Sequence, residues 1–418
     1  MLVLVAPPER TRSNDTQYLY RPGSDILYLT GFPEPETVVV LAPNHPEHQF
    51  VMFVRPRNRD SEIWDGFRYG PEGAMREFGA DAAFPIGELD ERLPGYLRDN
   101  DTLHYALGED RAFDDRVLGM LRALGASRKQ PNRAPTCIRD PRPLLHRMRM
   151  VKSEHELGQL ARACEISATA HVEAMKATRP GQREFEIQAV LEGSFLRQGA
   201  AAPAYASIVA GGANACVLHY VANRDELRDG ELLLVDAGAE VNWYAGDITR
   251  TWPVGRAFSP EQRAIYEAVL DAEEYAVDLV RPGASKHDIG EKTARRLTQS
   301  MIDIGLLRGS VDEAMEAEAY RRYYMHGIGH YLGLDVHDVG VYFVSEGEGE
   351  PFVPGVVTTI EPGIYVAPDD LEAPEAFRGI GVRIEDDVVV TDGEPRVLTG
   401  GVPKSIAEIE ALRAEALD

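Results

Sequence analysis

Three of the chain's eleven histidines lie within one stretch of fourteen residues, MHGIGHYLGLDVHD, from Met325 to Asp338. His326 and His330 are four apart, the spacing of two metal ligands on one helix face. Gly327 and Gly329 stand between them, and each glycine costs a helix interior about 1 kcal/mol against alanine. The residue types therefore point to metal chemistry, while the glycines argue against a helix that presents both imidazoles. Which of the three histidines holds a metal is open at this point.

The acids narrow the question. Asp236 and Asp247 sit in the apolar segments ELLLVDAGAEV and YAGDITRTWPV, and Glu361 and Glu385 in VVTTIEPGIYV and GIGVRIEDDVVV. A carboxylate in a buried strand is costly unless it is paired or bound to a cation. For any one of the four, an edge strand or a salt bridge suffices. Four at matching places in two halves suggest convergence on one point, where mutual repulsion would be severe. One or two divalent cations would relieve it.

The elements that position these acids repeat. A helix starts at Ser153, with Glu156 completing a capping box, and stops at Arg179-Pro180-Gly181. A second starts at Ser259-Pro260, with Gln262 in the same role, and stops at Arg281-Pro282-Gly283. Each turn leads into another amphipathic helix, REFEIQAVLEGSFLRQG or KHDIGEKTARRLTQSMIDIG, and then into the acid-bearing β segments. This order implies an internal duplication. Upstream, DILYLTGF and TVVVLAP read as β-rich runs, the latter forming a hairpin with HQFVMFVRPR. FDDRVLGMLRALGA has helical spacing. The prolines and basic residues between Arg139 and Lys152 read as a linker, which places a boundary near residue 150.

The net charge of −24 argues against a nucleic-acid partner. No apolar run reaches the roughly 18 residues of a membrane span. The opening MLVLVAPPER lacks the basic start and the apolar length of a signal peptide. Cys137, Cys164 and Cys216 form no CxxC pair, as expected of reduced thiols in a cytoplasmic protein.

Taken in order, LLLVDAG, AGDITRTWPVG, HGIGHYLGLDVHDVG, TIEPGIYV and GIGVRIEDD resemble the pita-bread metallopeptidases, and among them aminopeptidase P and its relative prolidase. NDTQYLYRPGSDILYLTGFPEPETVVVL is similar to the N-terminal domain of those enzymes. The resemblance implies an α/β (α+β) chain. Residues 1–150 would form a creatinase-like domain, and residues 151–418 a pita-bread catalytic domain of two half-repeats. Relatives carry an extra helix before the first strand, whereas this sequence opens on MLVLVAPPE.

By the resemblance, Asp236 ligates one metal, Asp247 and Glu385 bridge two, and His330 and Glu361 complete the second. One imidazole and four carboxylates suit Mn(II), Fe(II), Co(II) or Zn(II); the family points to manganese. Glu361 becomes the proton shuttle, His337 the residue that holds the substrate carbonyl or oxyanion, and His219 an active-site wall. His326, Tyr365 and Arg383 surround the proline pocket, and Trp64 and Asp15 bound the cleft. Simpler roles stand beside these. His219 could be a loop histidine, Tyr365 or Trp64 core, Arg383 a counter-charge for Glu385, and Asp15 a turn cap. The implied activity is removal of an N-terminal residue that precedes proline, with peptides as partners and a homo-oligomer, dimer or tetramer, as the assembly. Prolidase, restricted to Xaa-Pro dipeptides, is the alternative. A non-catalytic pita-bread binding protein is disfavoured because every ligand position is filled.

Overall fold

The computed structural model describes residues 1–126 and 134–418. It divides into two compact units, Met1–His146 and Arg147–Asp418. The first is built on a six-stranded sheet in the order Ala82–Pro85, Phe50–Val54, Val38–Leu41, Leu2–Val5, Thr102–His104, Cys137–Arg139. Alternate residues serve opposite faces, as the period-2 pleat demands. Val3, Val38, Val40, Val51 and Phe53 enter one core, and Leu4, Val39, Met52 and Val54 the other. TVVVLAP and HQFVMFVRPR form the expected antiparallel hairpin, with Val39 opposite Met52.

Two readings of the sequence need correction. DILYLTGF supplies a helix, Ser24–Thr30, and no strand. Gly31 closes it at φ 69, its N–H donating to Leu27 O, while Ile26 and Leu27 are buried. Strand-like composition yields here to a glycine cap and tertiary burial. The supposed linker is largely the helix Arg142–Met150. Asp140 Oδ1 accepts from the Arg142 N–H at 2.9 Å, and Pro143 lies in the first turn, where no backbone hydrogen bond is lost. Leu145 and Met150 are buried.

The second unit has the repeated order. Glu154–Ala177 and Glu184–Arg197 form one helix pair, Pro260–Asp278 and Lys286–Asp303 the other. Both expected capping boxes, at Ser153 with Glu156 and at Ser259 with Gln262, are present. Each pair precedes a broken antiparallel hairpin. In the first, Leu232–Asp236 pairs with Thr249–Pro253, and Ala239–Val241 with Tyr244–Ala245. In the second, Val357–Ile360 pairs with Asp386–Val389, and Gly363–Tyr365 with Gly381–Arg383. The hairpins meet along a seam. Glu385 N–H donates to Thr249 O at 3.0 Å, Thr251 Oγ1 to Arg383 O at 3.0 Å, and Asp247 N–H to Asp387 Oδ2 at 2.9 Å. Among the described residues no helix is long and apolar enough to cross a membrane.

Candidate metal and peptide site

The four acids occupy the breaks in the hairpins. Asp236 is the last residue of its strand segment, and Asp247, Glu361 and Glu385 lie between paired segments. In the first hairpin the backbones cross so closely at the break that a Cβ on Gly238 would lie 1.7 Å from Gly246 O. There the chain leaves the ladder, and acids from both hairpins reach one cavity of about 460 Å³. Asp236, Asp247, His330, Glu361 and Glu385 all line it, together with His219, His326, His337 and Arg383.

His330 and His326 lie outside any helix, as the glycines imply. Gly329 has φ 147, and a Cβ on it would strike Thr359 O at 2.3 Å. The glycine thus lets two backbones pass, with Glu361 N–H donating to Ile328 O at 2.9 Å and Thr359 N–H to His330 O at 2.9 Å. His330 Nδ1 lies 3.0 Å from Tyr331 O, so that nitrogen carries the proton. Its Nε2 lone pair then faces Asp247 Oδ2 at 3.4 Å and Glu361 Oε1 at 3.6 Å. Asp247, His330 and Glu385 offer ligand atoms within 4.8 Å of one another.

The electrostatics fit a cation site. Burial, and next Asp236 at its side, hold the Asp247 carboxyl well above the usual range. Glu385 is raised in the same direction by burial and then by Asp247. Burial also raises Glu361 and keeps His330 neutral. Among the described residues Arg383 alone, of the lysines and arginines, pairs directly with one of the four acids: its Nη2 lies 2.6 Å from Asp236 Oδ2. Arg383 thus pairs directly with Asp236, and its charge also acts on Glu385. Among the described residues Asp247, Glu361 and Glu385 form no ion pair with a lysine or arginine; with the unprotonated imidazole nitrogen they make a donor set that one or two divalent ions would satisfy.

Around this cluster Arg383 Nε donates to Thr249 Oγ1 at 3.0 Å, and Thr249 Oγ1 to Glu385 Oε2 at 2.7 Å. Arg383 Nη1 donates to Tyr365 Oη at 3.1 Å, and Tyr365 Oη lies 2.8 Å from His326 Nε2. Tyr365 is both core, at 2% exposure, and part of this polar chain. His337 packs against His330 with ring centroids 4.1 Å apart and the ring planes tilted by 49°. His219 stands exposed at the cavity edge. Trp64 and Asp15 belong to the first unit. Trp64 is 87% exposed, which removes the core reading, and Asp15 sits in the exposed turn between Thr11–Ser13 and Thr16–Gln17.

Several members of the site gave no sequence signal. Tyr205 Oη donates to Asp236 Oδ1 at 2.6 Å and also bonds Asp247 Oδ1. Its neutral hydroxyl in PAYAS has nothing to mark it. Lys286 is buried beneath the site, with Nζ donating to Thr358 Oγ1 at 2.5 Å, which in turn donates to His330 O at 2.9 Å. Burial pushes its ammonium down to about 7. Thr249 was findable, since it lies two residues beyond Asp247 and strand alternation puts such pairs on one face.

The sequence matches the family model for the aminopeptidase P N-terminal domain over residues 1–105 and that for metallopeptidase family M24 over residues 158–392. It is 44% identical to an Escherichia coli Xaa-Pro aminopeptidase over 99% of this chain and 93% of that one. Human Xaa-Pro aminopeptidase 3 is 35% identical over 99% and 81%. The structure of Pseudomonas aeruginosa aminopeptidase PepP superposes with a TM-score of 0.97 at 48% identity, covering 100% of this chain and 94% of that one. An Escherichia coli aminopeptidase P variant in complex with substrate gives 0.96 at 43% identity over 100% and 94%. The zinc-substituted enzyme in complex with product gives 0.95 at 44% over 99% and 94%. The chain belongs to the Xaa-Pro aminopeptidases, the aminopeptidase P hydrolases of metallopeptidase family M24.

Proposed function

We propose that the chain removes the N-terminal residue from peptides with proline second, using two divalent metal ions, manganese by preference, held by Asp236, Asp247, His330, Glu361 and Glu385. The observation that carries this reading is the meeting of four acids and the His330 Nε2 lone pair in one cavity, where their single ion pair with a lysine or arginine among the described residues is Arg383 with Asp236. When bound, the ions lower the pKa of water and polarise the scissile carbonyl.

The protein's own groups do the rest. Glu361 Oε1 faces Thr359 Oγ1 at 3.3 Å and His330. That leaves Oε2 to take the proton of the attacking water and deliver it to the departing nitrogen. The bond before proline is a tertiary amide without an N–H. Recognition therefore falls to ring shape and carbonyl contacts, which we assign to His326, Tyr365 and Arg383 for the proline and to His337 for the oxyanion. His219 walls the cavity. Trp64 and Asp15 are assigned to the cleft edge by resemblance alone. On the same basis we place the enzyme in the cytoplasm as a homo-oligomer, dimer or tetramer. The thiols of Cys137, Cys164 and Cys216 are all free, in keeping with that compartment.

Chelator dialysis followed by Mn(II) addition tests the reading on an Xaa-Pro-Yaa tripeptide. Activity should vanish and return, with two ions per chain by elemental analysis. Activity indifferent to both steps overturns the metal mechanism. Rapid cleavage of Xaa-Pro with none of the tripeptide would make the chain a prolidase.

A further inference from the structure

The basic residues at the end of the supposed linker have a place in the second unit. Arg149 Nη2 donates to Asp338 Oδ1 at 2.5 Å and to Asp335 Oδ2 at 2.7 Å, and Lys152 Nζ donates to Asp338 Oδ2 at 2.9 Å. Arg149, Lys152 and Asp338 are all at least 95% buried. Asp335 and Asp338 bracket His337, so two cations grip the loop on both sides of that imidazole. The loop is pinned again where Asp338 N–H donates to Tyr331 O at 2.8 Å, one residue from His330. Gly333 completes the fit: a Cβ there would lie 2.2 Å from Asp338 Oδ2 and 3.0 Å from Lys152 Cε.

A buried ionic cluster is a poor device for stability alone. Its desolvation cost is large, and well-packed apolar residues of similar volume often do as well. What it supplies is fixed geometry. Arg149 Nη2 reaches an oxygen of each acid, so the guanidinium ties Asp335 and Asp338 to one point. His337 between them lines the cavity and packs, tilted, against His330 at 4.1 Å between ring centroids.

We infer that Arg149 and Lys152 are positioning residues for the reaction, acting through Asp335 and Asp338 to hold His337 where it meets the developing oxyanion. This rests on the role proposed above for His337. Electrostatic stabilisation of a transition state depends on donors held in place beforehand, so a loosened loop should slow turnover more than it weakens binding.

A double-mutant cycle tests it. In the metal-loaded enzyme, Arg149→Met should lower kcat on an Xaa-Pro-Yaa tripeptide by roughly tenfold or more. KM should stay within about twofold and metal content unchanged. Arg149→Lys should recover part of the rate, since an ammonium keeps a positive charge between the two acids. In a His337→Ala background, Arg149→Met should have little further effect. Equal losses in both backgrounds, a wild-type kcat in Arg149→Met, or a loss traced to missing metal overturns the inference. If Arg149→Met does not fold, Asp335→Asn serves in the same cycle, its side chain being 35% exposed. A wild-type kcat in His337→Ala would instead refute the role of His337, a result separable from failure of the clamp.

Discussion

The Tyr365 hydroxyl lies 2.8 Å from His326 Nε2. Arg383 Nη1 donates to the same oxygen, so the Tyr365 proton is free to go to His326. His326 Nδ1 stands 2.8 Å from Gly327 O and must carry its own hydrogen there. Burial pushes His326 down to about 4, which keeps this neutral tautomer through the working pH range. The three residues thus form one directional chain from Asp236, through Arg383 and Tyr365, to the imidazole.

Removing the middle of that chain breaks its order and leaves the metal ligands in place. Tyr365→Phe should lower kcat/KM on tripeptides by about tenfold, near 1.4 kcal/mol, the usual scale of one buried hydrogen bond. Steady-state kinetics with parallel metal analysis checks this. An unchanged kcat/KM would remove Tyr365 from the substrate-gripping set.

Glu361→Gln retains the side chain's shape and removes its capacity to carry a proton. Turnover should fall by roughly 10²–10⁴, the range for loss of a general acid–base group. Single-turnover cleavage should fall as far as steady-state turnover. A variant that kept most of its kcat would place the shuttle elsewhere.

Asp247→Asn should have opposite effects on the two forms of the protein. In the metal-free chain the Asp247 carboxyl is held well above its usual range by burial and by Asp236, so its charge destabilises the folded state at neutral pH. The amide should therefore raise Tm after chelation. It should also abolish most of the Tm increase produced by Mn(II), because ligand binding stabilises only by its own affinity. Scanning calorimetry of both proteins, with and without Mn(II), reads both effects. A lower Tm in the chelated variant would contradict the repulsion.

His171 should contribute to acid sensitivity away from the catalytic groups. It is fully buried, with Nδ1 3.0 Å from Ser167 O, and burial pushes it from 6.5 down to about 4. Between those values the unfolded chain binds the extra proton. Stability is intact above about 6.5, erodes as pH falls, and has lost this contribution entirely by about 4. The shift corresponds to about 3 kcal/mol at most. His171→Asn should flatten the Tm profile between pH 7 and pH 4.5. A profile parallel to that of the wild type would assign the acid sensitivity to other groups.

Local signals in the sequence were read correctly where the physics is local. The capping boxes at Ser153 and Ser259 need only three residues of spacing, and both are in place. The acids stood out because a charge in an apolar run has a cost that demands explanation. Their placement did not: breaks between paired segments look the same as strand interiors in one dimension. DILYLTGF misled because β-rich composition says little against a glycine that caps a helix. The Arg139 to Lys152 segment misled because Pro141 and Pro143 suggest a break, although proline at a helix start is no obstacle. Strand alternation offers Glu385 as one counter-charge for Arg383, but it cannot reveal the direct ion pair with Asp236, which lies across the seam in the other hairpin. Tyr205 carries no charge and breaks no pattern, so only the folded chain reveals it.

The seam between the hairpins has a consequence for assembly of the molecule. Each half-repeat owns two of the four acids, and the two sets face each other only after Thr249, Thr251 and Asp247 have bonded to Glu385, Arg383 and Asp387. On the proposed ligand set, an intermediate with one hairpin formed would hold only two or three of the five ligands. Ion capture and docking of the halves would then be one event, with bound cations acting as a clasp whose affinity is credited to the join. Stripped of them, the molecule should open first along that join, with exchange of the Glu385 and Asp247 amides rising well ahead of those in the helix pairs.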